Sequence, residues 1–263
     1  MGKGDFPPSN VPAFVVPLSD HMLEAAGVLW TTTYILFIRS ARRDKTYGIP
    51  VVLLASNVAW ELVYGAYVAE DPLERYAFSS WLLIDLGLIY YTLKYGPNEW
   101  RHAPMIQRNI LAMFTILVGV FLGLQYSFAQ YWIENRIGSE RGKTYRGVTP
   151  SADIKELNFW SAQVAQAVLS ASFIAQLLVR WDNRGHDWTT WVVRTIGTFA
   201  GLYGYYAVRW YWWPEMHPYV SNPFAVCLTV IGFGSDLLYG VLMLMVSRSA
   251  VGRPSQHTVN KAS

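Results

Sequence analysis

The sequence predicts an all-α, polytopic membrane protein: a bundle of seven transmembrane helices forming one membrane-embedded domain over residues 1–263. Three observations carry that reading. Hydrophobic residues make up 52% of the chain and charged residues only 15%, against roughly 25% charged in ordinary soluble domains. The charges cluster between long apolar runs. Alternate connections between those runs are basic, as the excess of Lys and Arg in short cytoplasmic loops predicts for seven spans.

A span takes about 20 mostly apolar residues, and the runs at 21–38, 49–68, 77–93, 106–128, 158–179, 189–209 and 223–246 qualify. Met1 to Asp20 holds Pro7, Pro8, Pro12 and Pro17 but no apolar h-region, so it does not read as a cleaved signal peptide. The first span then serves as the membrane signal. The connection after it is basic, with Arg39, Arg42, Arg43 and Lys45, whereas the second holds Glu70, Asp71 and Glu74 against Arg75. The third span is the shortest, yet Trp81 to Tyr91 is too apolar and too long for a loop.

Lys94, Arg101 and Arg108 follow the third span, and Arg180 and Arg184 follow the fifth. Between them lies a long, charge-mixed connection at about 129–157. The sixth connection, 211–219, is aromatic and Pro-rich, which suits either an interfacial anchoring belt or a cover over a site. Arg248, Arg253 and Lys261 mark a basic tail. This pattern orients the chain with its N-terminus in the lumen of the endoplasmic reticulum and its C-terminus in the cytoplasm.

Several classes are disfavoured by composition. The single cysteine, Cys227, excludes an intrachain disulfide and Cys-rich metal sites. Four of the five histidines, His21, His102, His186 and His217, fall in loops or at span ends, and His257 falls in the tail, so no metal site is expected. The last span has no lysine for a retinal Schiff base. No Asp-rich cluster is present to hold a diphosphate through Mg²⁺. A net charge of +3 is explained by membrane topology rather than by nucleic acid. Neither a glycosylation sequon nor a lipidation box occurs.

The most informative residues are acids inside the spans. Glu61 opens the phrase Glu-Leu-Val-Tyr-Gly at 61–65, and Asp236 opens Asp-Leu-Leu-Tyr-Gly at 236–240. A carboxyl in a hydrocarbon-spanning helix costs several kcal/mol unless it is paired or faces a polar cavity. Asn57, Glu61 and Tyr64 share one helical face, as do Gly232, Asp236, Tyr239 and Gly240. Gly65 and Gly240 follow the tyrosines and leave room for a close neighbour. Trp81 and Asp85, at i and i+4, add a third acid. The flanks of the two phrases share little, so they are not an internal repeat.

The functional reading is a dry cavity in which a carboxyl keeps its proton at physiological pH and acts as a donor. The bland reading is that each acid is a satisfied partner in interhelical hydrogen bonds, for instance with Gln163, Gln166 or Ser170. Glu24, at the start of span one, reads as solvated or as complementing a helix N-terminus. Of 12 Trp, 17 Tyr and 12 Phe, most are interfacial anchors or packing. Trp60, Tyr64, Trp81, Phe233 and Tyr239, however, sit next to the acids. Ring faces there attract cationic intermediates without quenching them, and a dry cavity keeps water away.

A proton-coupled transporter of a small lipophilic solute also uses membrane acids, and a scaffold subunit of a membrane complex is a third class. On residues alone these stay open. The Gly197 to Gly201 GxxxG serves either a bundle interface or a moving helix.

The phrase Asn57 to Tyr64 (Asn-Val-Ala-Trp-Glu-Leu-Val-Tyr), the Trp-x-x-x-Asp element at Trp81 to Asp85, and Asp236 to Tyr239 resemble a known family. It is that of the small integral-membrane terpene cyclases of fungal meroterpenoid and indole-diterpene biosynthesis, the pyripyropene and paxilline type. The resemblance covers essentially the whole chain, and its Trp-Glu phrase is the most specific part.

It implies that Glu61 and Asp236 are catalytic, and that a terminal epoxide or alkene of a prenylated aromatic substrate is protonated. Carbocationic ring closure follows, ending in proton loss or capture by an oxygen nucleophile, with no metal, diphosphate or cofactor. Asn57, Trp60, Tyr64, Trp81, Asp85, Phe233 and Tyr239 are then the expected substrate-binding residues. The partners implied are the lipophilic substrate and membrane lipids, with no nucleic acid. By helix rise, Glu61 is expected nearer the lumen and Asp236 nearer mid-membrane, roughly 10 Å apart in depth.

Overall fold

The computed structural model describes residues 7–251, with side chains described as far as Ser247. The tail residues Arg253, His257 and Lys261 lie outside the described residues. Within them the chain is helical, and the expected seven segments appear in order as seven rods. The first is α1 (Val15–Asp44). The second is α2 (Val51–Val63), which continues as a π-helical segment, Tyr64–Val68. Then come α3 (Pro72–Glu99), α4 (Pro104–Glu134) and α5 (Ile154–Arg180). The sixth rod is α6 (Trp188–Thr198), a π-helical segment Phe199–Gly204, and α7 (Tyr205–Trp212). The last is α8 (Pro223–Val251).

Among the described residues five stretches are long and apolar enough to cross a membrane: Val51–Val68, Pro72–Glu99, Pro104–Glu134, Ile154–Arg180 and Pro223–Ser247. The first and sixth rods are not among them. They carry the polar load of the bundle, with Asp20, Glu24, Thr31, Thr32 and Thr33 on α1 and Arg194 and Arg209 on the sixth rod. The short third run belongs to a helix of 28 residues, because Pro72 suits the first helical turn and the Asp71 side chain caps it by accepting from the Leu73 amide at 2.9 Å. Asp153 and Asp187 cap α5 and α6 in the same way, accepting from Glu156 and Thr190 amides at 3.1 and 3.0 Å. Acids that read as loop charge thus define where the next helix begins.

The rods pack in neighbouring pairs, α5 along α8, α2 along α4, and α1 along α6 and its π-helical continuation. The last contact uses the GxxxG glycines. A Cβ on Gly201 would sit 2.5 Å from that of Ala26, and one on Gly197 3.0 Å from that of Leu29. Only glycine admits so close a backbone.

A hydrophobic core of Phe37, Leu53, Leu54, Leu88, Phe173, Leu177 and Met243 fills the end of the bundle that carries Arg42 and Arg43. At the opposite end the loop over 213–221 folds down onto the helices. Trp213, His217 and Tyr219 are buried, Tyr219 packs on Phe159 and Tyr206, and none of the three lines the cavity described below. The long connection before α5 is held by Arg141 and Lys143, which both reach the fully buried Asp153, at 2.9 and 2.7 Å.

Candidate functional site

A cavity of about 1080 Å³ runs down one side of the bundle between α1, α2, α3, α5 and the sixth rod. Its inner end is closed by Tyr34, Leu53 and Asn57, its middle by Trp30, Trp60, Phe78 and Trp81, and its outer end by Asp20, Lys155, Asn158 and Arg209. That volume exceeds the few hundred Å³ of an ordinary ligand site. Between α1 and α3 the wall is shared with the outer surface: Val28, Leu73 and Tyr76 line the cavity yet are 67%, 70% and 72% exposed. The cavity therefore opens along the α1–α3 side, with the exposed acids Asp20 and Glu24 on the same rim.

The aromatic wall is fixed by its polar handles. Trp60 donates its indole N–H to Ser161 Oγ at 3.2 Å, and Trp81 donates to Thr31 Oγ1 at 2.8 Å. Phe78 stands edge-on to both, with ring centroids 5.1 and 5.7 Å away. Each tryptophan is thus pinned to a different helix and cannot swing freely.

Behind the inner wall lies a cluster of two acids. Tyr34 donates its hydroxyl to Glu61 Oε1 at 3.0 Å, and Asn57 Nδ2 reaches Glu61 Oε1 at 3.0 Å, the Tyr34 hydroxyl at 2.9 Å and Asp85 Oδ2 at 2.9 Å. Both carboxyls thus accept from the one Asn57 amide nitrogen. Glu61 is 1% and Asp85 0% exposed. Glu61 Oε2 and Asp85 Oδ1 have no hydrogen-bond partner among the described residues. No Arg, Lys or His ion-pairs with this cluster among the described residues. A carboxyl buried with no compensating cation is costly to charge. Neither lines the cavity; Tyr34 and Asn57 do, so the acids communicate with the cavity through those two side chains.

Asp236 has a different environment. Arg194 Nη2 donates to its Oδ1 at 2.7 Å with both side chains 0% exposed, Gln166 Nε2 approaches Oδ2 at 3.4 Å, and Trp191 donates to its backbone carbonyl at 2.8 Å. The Arg194 guanidinium also lies over the Phe173 ring, 4.8 Å from its centroid. Gln166 lines the cavity and donates to Ser170 at 2.8 Å. Glu61 and Asp236 therefore do not meet in one acid unit; each stands one side chain behind the same cavity, the first in a cation-free pair and the second in an ion pair. For Asp236 the interhelical hydrogen bonding expected from Gln166 is present, whereas Gln163 donates to Thr229 instead.

Of the expected binding residues, Asn57, Trp60 and Trp81 lie on the wall and Asp85 joins Glu61. Tyr64, Phe233 and Tyr239 do not line the cavity. Tyr64 is buried behind Trp60, with ring centroids 5.2 Å apart. Phe233 packs on Phe199 and Tyr203, and Tyr239 stacks on His186 at 4.6 Å in the hydrophobic core. The tyrosine expected beside Glu61 is supplied by α1 as Tyr34, because the i+3 position on α2 faces the Phe78 side of the bundle. Gly240 accommodates the Trp191 indole rather than a ligand. Glu24 is exposed and accepts from His21 at 3.2 Å at the cavity rim.

Among the residues of the site that were not anticipated are Tyr34 and Arg194, with Trp30 and Phe78 on the aromatic wall. Arg194 carried a signal: an ionisable residue within span 189–209 calls for a partner, and Asp236 is the buried acid that needs one.

Against known proteins, the family profile described as Pyr4-like transmembrane terpene cyclases matches residues 5–249. Terpene cyclase ascF of Acremonium egyptiacum is 35% identical over 246 residues, 94% of this chain and 88% of the relative. Pyr4-family terpene cyclase mfmH of Annulohypoxylon moriforme is 33% identical over 87% of this chain and 86% of its own. Terpene cyclase paxB of Penicillium paxilli is 29% identical over 89% and 88%. No solved structure matches.

Proposed function

The chain belongs to the Pyr4-like transmembrane terpene cyclases, and from that premise we propose that it cyclises a prenylated aromatic substrate by protonating a terminal epoxide or alkene. The observation that carries this reading is the cation-free pair of Glu61 and Asp85, buried one hydrogen bond behind the wall of a large aromatic cavity.

The chemistry is a proton cycle. Tyr34 gives its hydroxyl proton to the epoxide oxygen and takes the proton held by the acid pair. The C–O bond opens as the neighbouring alkene attacks, and each ring closure passes the positive charge along the chain. The final cation loses a proton, or an internal oxygen captures it and then loses one. That proton returns to the acid pair, so substrate and product are isomers. The ring faces of Trp30, Trp60, Phe78 and Trp81 stabilise positive charge without trapping it.

Asp236 serves in this scheme as a fixed anion. Arg194 holds it, and Gln166, whose Nε2 is committed to Ser170 and Asp236, offers the cavity the negative end of its amide dipole. The seven rods cross the endoplasmic-reticulum membrane with the Asp20 and Glu74 end in the lumen. Arg39, Arg42, Arg43 and Lys45 on the other side support that orientation.

Incubating microsomes that contain the protein with epoxyprenyl aromatic substrates, and reading products by mass and NMR, tests the proposal. A cyclised isomer of unchanged mass is expected from the wild type and none from Glu61→Gln at equal levels of folded protein. Full turnover by Glu61→Gln refutes the acid assignment.

A further inference from the structure

The two buried acid sites share one arrangement. Each has a carboxamide standing between it and the cavity, Asn57 before Glu61 and Asp85, and Gln166 before Asp236. The Asn57 Nδ2 is committed to both carboxyls and to the Tyr34 hydroxyl at 2.9 to 3.0 Å, and the Gln166 Nε2 to Ser170 and Asp236 at 2.8 and 3.4 Å. A carboxylate oxygen only accepts, so the amide nitrogen turns toward it and the amide oxygen turns away. Neither Asn57 Oδ1 nor Gln166 Oε1 accepts a hydrogen bond among the described residues, and unlike Gln163 Oε1 neither is sealed inside the protein. Both residues line the cavity, so two carbonyl dipoles end in it with nothing donating to them.

The two oxygens lie close in depth. Trp60 is tied to Ser161, and from that level Asn57 is three residues inward on α2 and Gln166 five residues inward on α5. At about 1.5 Å per residue the two differ by about 3 Å in depth, near the closed end of the cavity. The cations among the cavity-lining residues, Lys155 and Arg209, belong to the opposite, outer end, and Arg194 behind Gln166 is engaged by Asp236. Trp30, with its ring centroid 6.0 Å from that of Tyr34, borders the same region. Two open acceptors, aromatic rings and no cation on the inner wall suit an occupant that is positively charged and carries N–H donors.

We propose that the inner end of the cavity is a binding site for protonated aliphatic amines, whose N–H groups donate to Gln166 Oε1 and Asn57 Oδ1. A secondary ammonium supplies two donors and a charge at one atom, whereas a hydroxyl supplies one donor and no charge. A lipophilic amine therefore enters as the prenyl chain does, with its nitrogen innermost, and competes with that chain. The ammonium site follows from the wall chemistry; the competition rests on the reading of this cavity as the substrate site.

The test uses the full-length protein in phosphatidylcholine nanodiscs, with N-dodecyl-N-methylammonium, dodecyltrimethylammonium and dodecyl methyl ether as probes. Binding is read by titration calorimetry against empty nanodiscs. The methylammonium is expected to bind about tenfold more tightly than either of the others, because the trimethyl probe has the charge without the donors and the ether has neither. Gln166→Met is expected to raise its Kd about tenfold and to leave the ether unchanged. Asn57→Leu is expected to act in the same way, and the wild-type ranking of the three probes carries the test should either variant fail to fold. Equal binding of the two cations, or a loss that follows Asp20→Asn at the rim instead of Gln166→Met, overturns the proposal. If the methylammonium binds with this selectivity yet does not slow cyclisation of an epoxyprenyl aromatic substrate, the ammonium site stands and the reading of the cavity as the substrate site fails.

Discussion

Replacing Arg194 by Met should destabilise the protein far more than replacing Arg194 and Asp236 together. The pair is separated by 2.7 Å with both side chains fully buried, and once the guanidinium is gone Asp236 retains only the 3.4 Å approach of Gln166 as a side-chain partner. Breaking a buried pair by removing one member costs about 3–5 kcal/mol, because a charge is left uncompensated. At about 2–4 °C per kcal/mol for a chain of this size, the Arg194→Met variant should melt about 6–20 °C below the wild type.

The methionine stem keeps contact with Phe173, over which the guanidinium now lies, so packing contributes little of that loss. Arg194→Met/Asp236→Asn carries no buried charge at this position and should recover most of the deficit. The assay is thermal unfolding in detergent, followed by loss of the monodisperse peak in size-exclusion chromatography. A single variant melting within about 2 °C of the wild type, or a double variant melting as low as the single, refutes the reasoning. The recovered double variant then gives a clean measure of what the Asp236 charge contributes to cyclisation.

Two further outcomes follow from the same geometry. Tyr34→Phe removes the hydroxyl that joins Glu61 to the cavity; cyclisation should fall by about 10²-fold or more, the usual worth of a positioned proton donor, with substrate binding retained, and an unchanged kcat sinks the relay. At the end of the bundle that carries Arg43, burial pushes the Asp187 carboxyl up, but the Thr190 amide and hydroxyl and the Arg43 guanidinium outweigh it and hold the group below its ordinary value. A depressed folded-state value means stability that is present above the unfolded pKa of about 3.9 and is lost as pH falls through the folded one. The difference in melting temperature between wild type and Asp187→Asn should therefore be full at pH 7 and close below about pH 4.

The residues that were legible from sequence are those whose partners lie on the same helix or whose cost is intrinsic. Asn57 and Glu61, four apart, meet as spacing alone requires, and apolar runs of about 20 residues could only be helices in a membrane. Asp85 was visible because an acid among leucines needs an explanation. The twin phrases misled in one respect: equal local sequence gave Glu61 and Asp236 unequal surroundings. Which side chain meets an acid depends on the helix that faces it, α1 and α3 for Glu61, the sixth rod and α5 for Asp236. Tyr34 follows no motif and lies 27 residues from Glu61 in the chain, so only the packing of α1 against α3, which brings its hydroxyl to Glu61, identifies it. Tyr239 carried the expected residue type on the expected face, but that face meets His186 and Phe173.

The sideways mouth between α1 and α3, rimmed by Val28, Leu73 and Tyr76, changes what concentration means for this protein. A ligand that partitions into the bilayer reaches such a rim from the lipid phase, and its occupancy follows its mole fraction in lipid rather than its amount per litre. Adding lipid or detergent at constant total substrate dilutes it in two dimensions and lowers the rate, although no bulk concentration has changed. Saturation curves for this chain should collapse onto one another only when plotted against substrate per lipid, and the apparent KM of any one preparation should then be a property of its membrane as much as of its cavity.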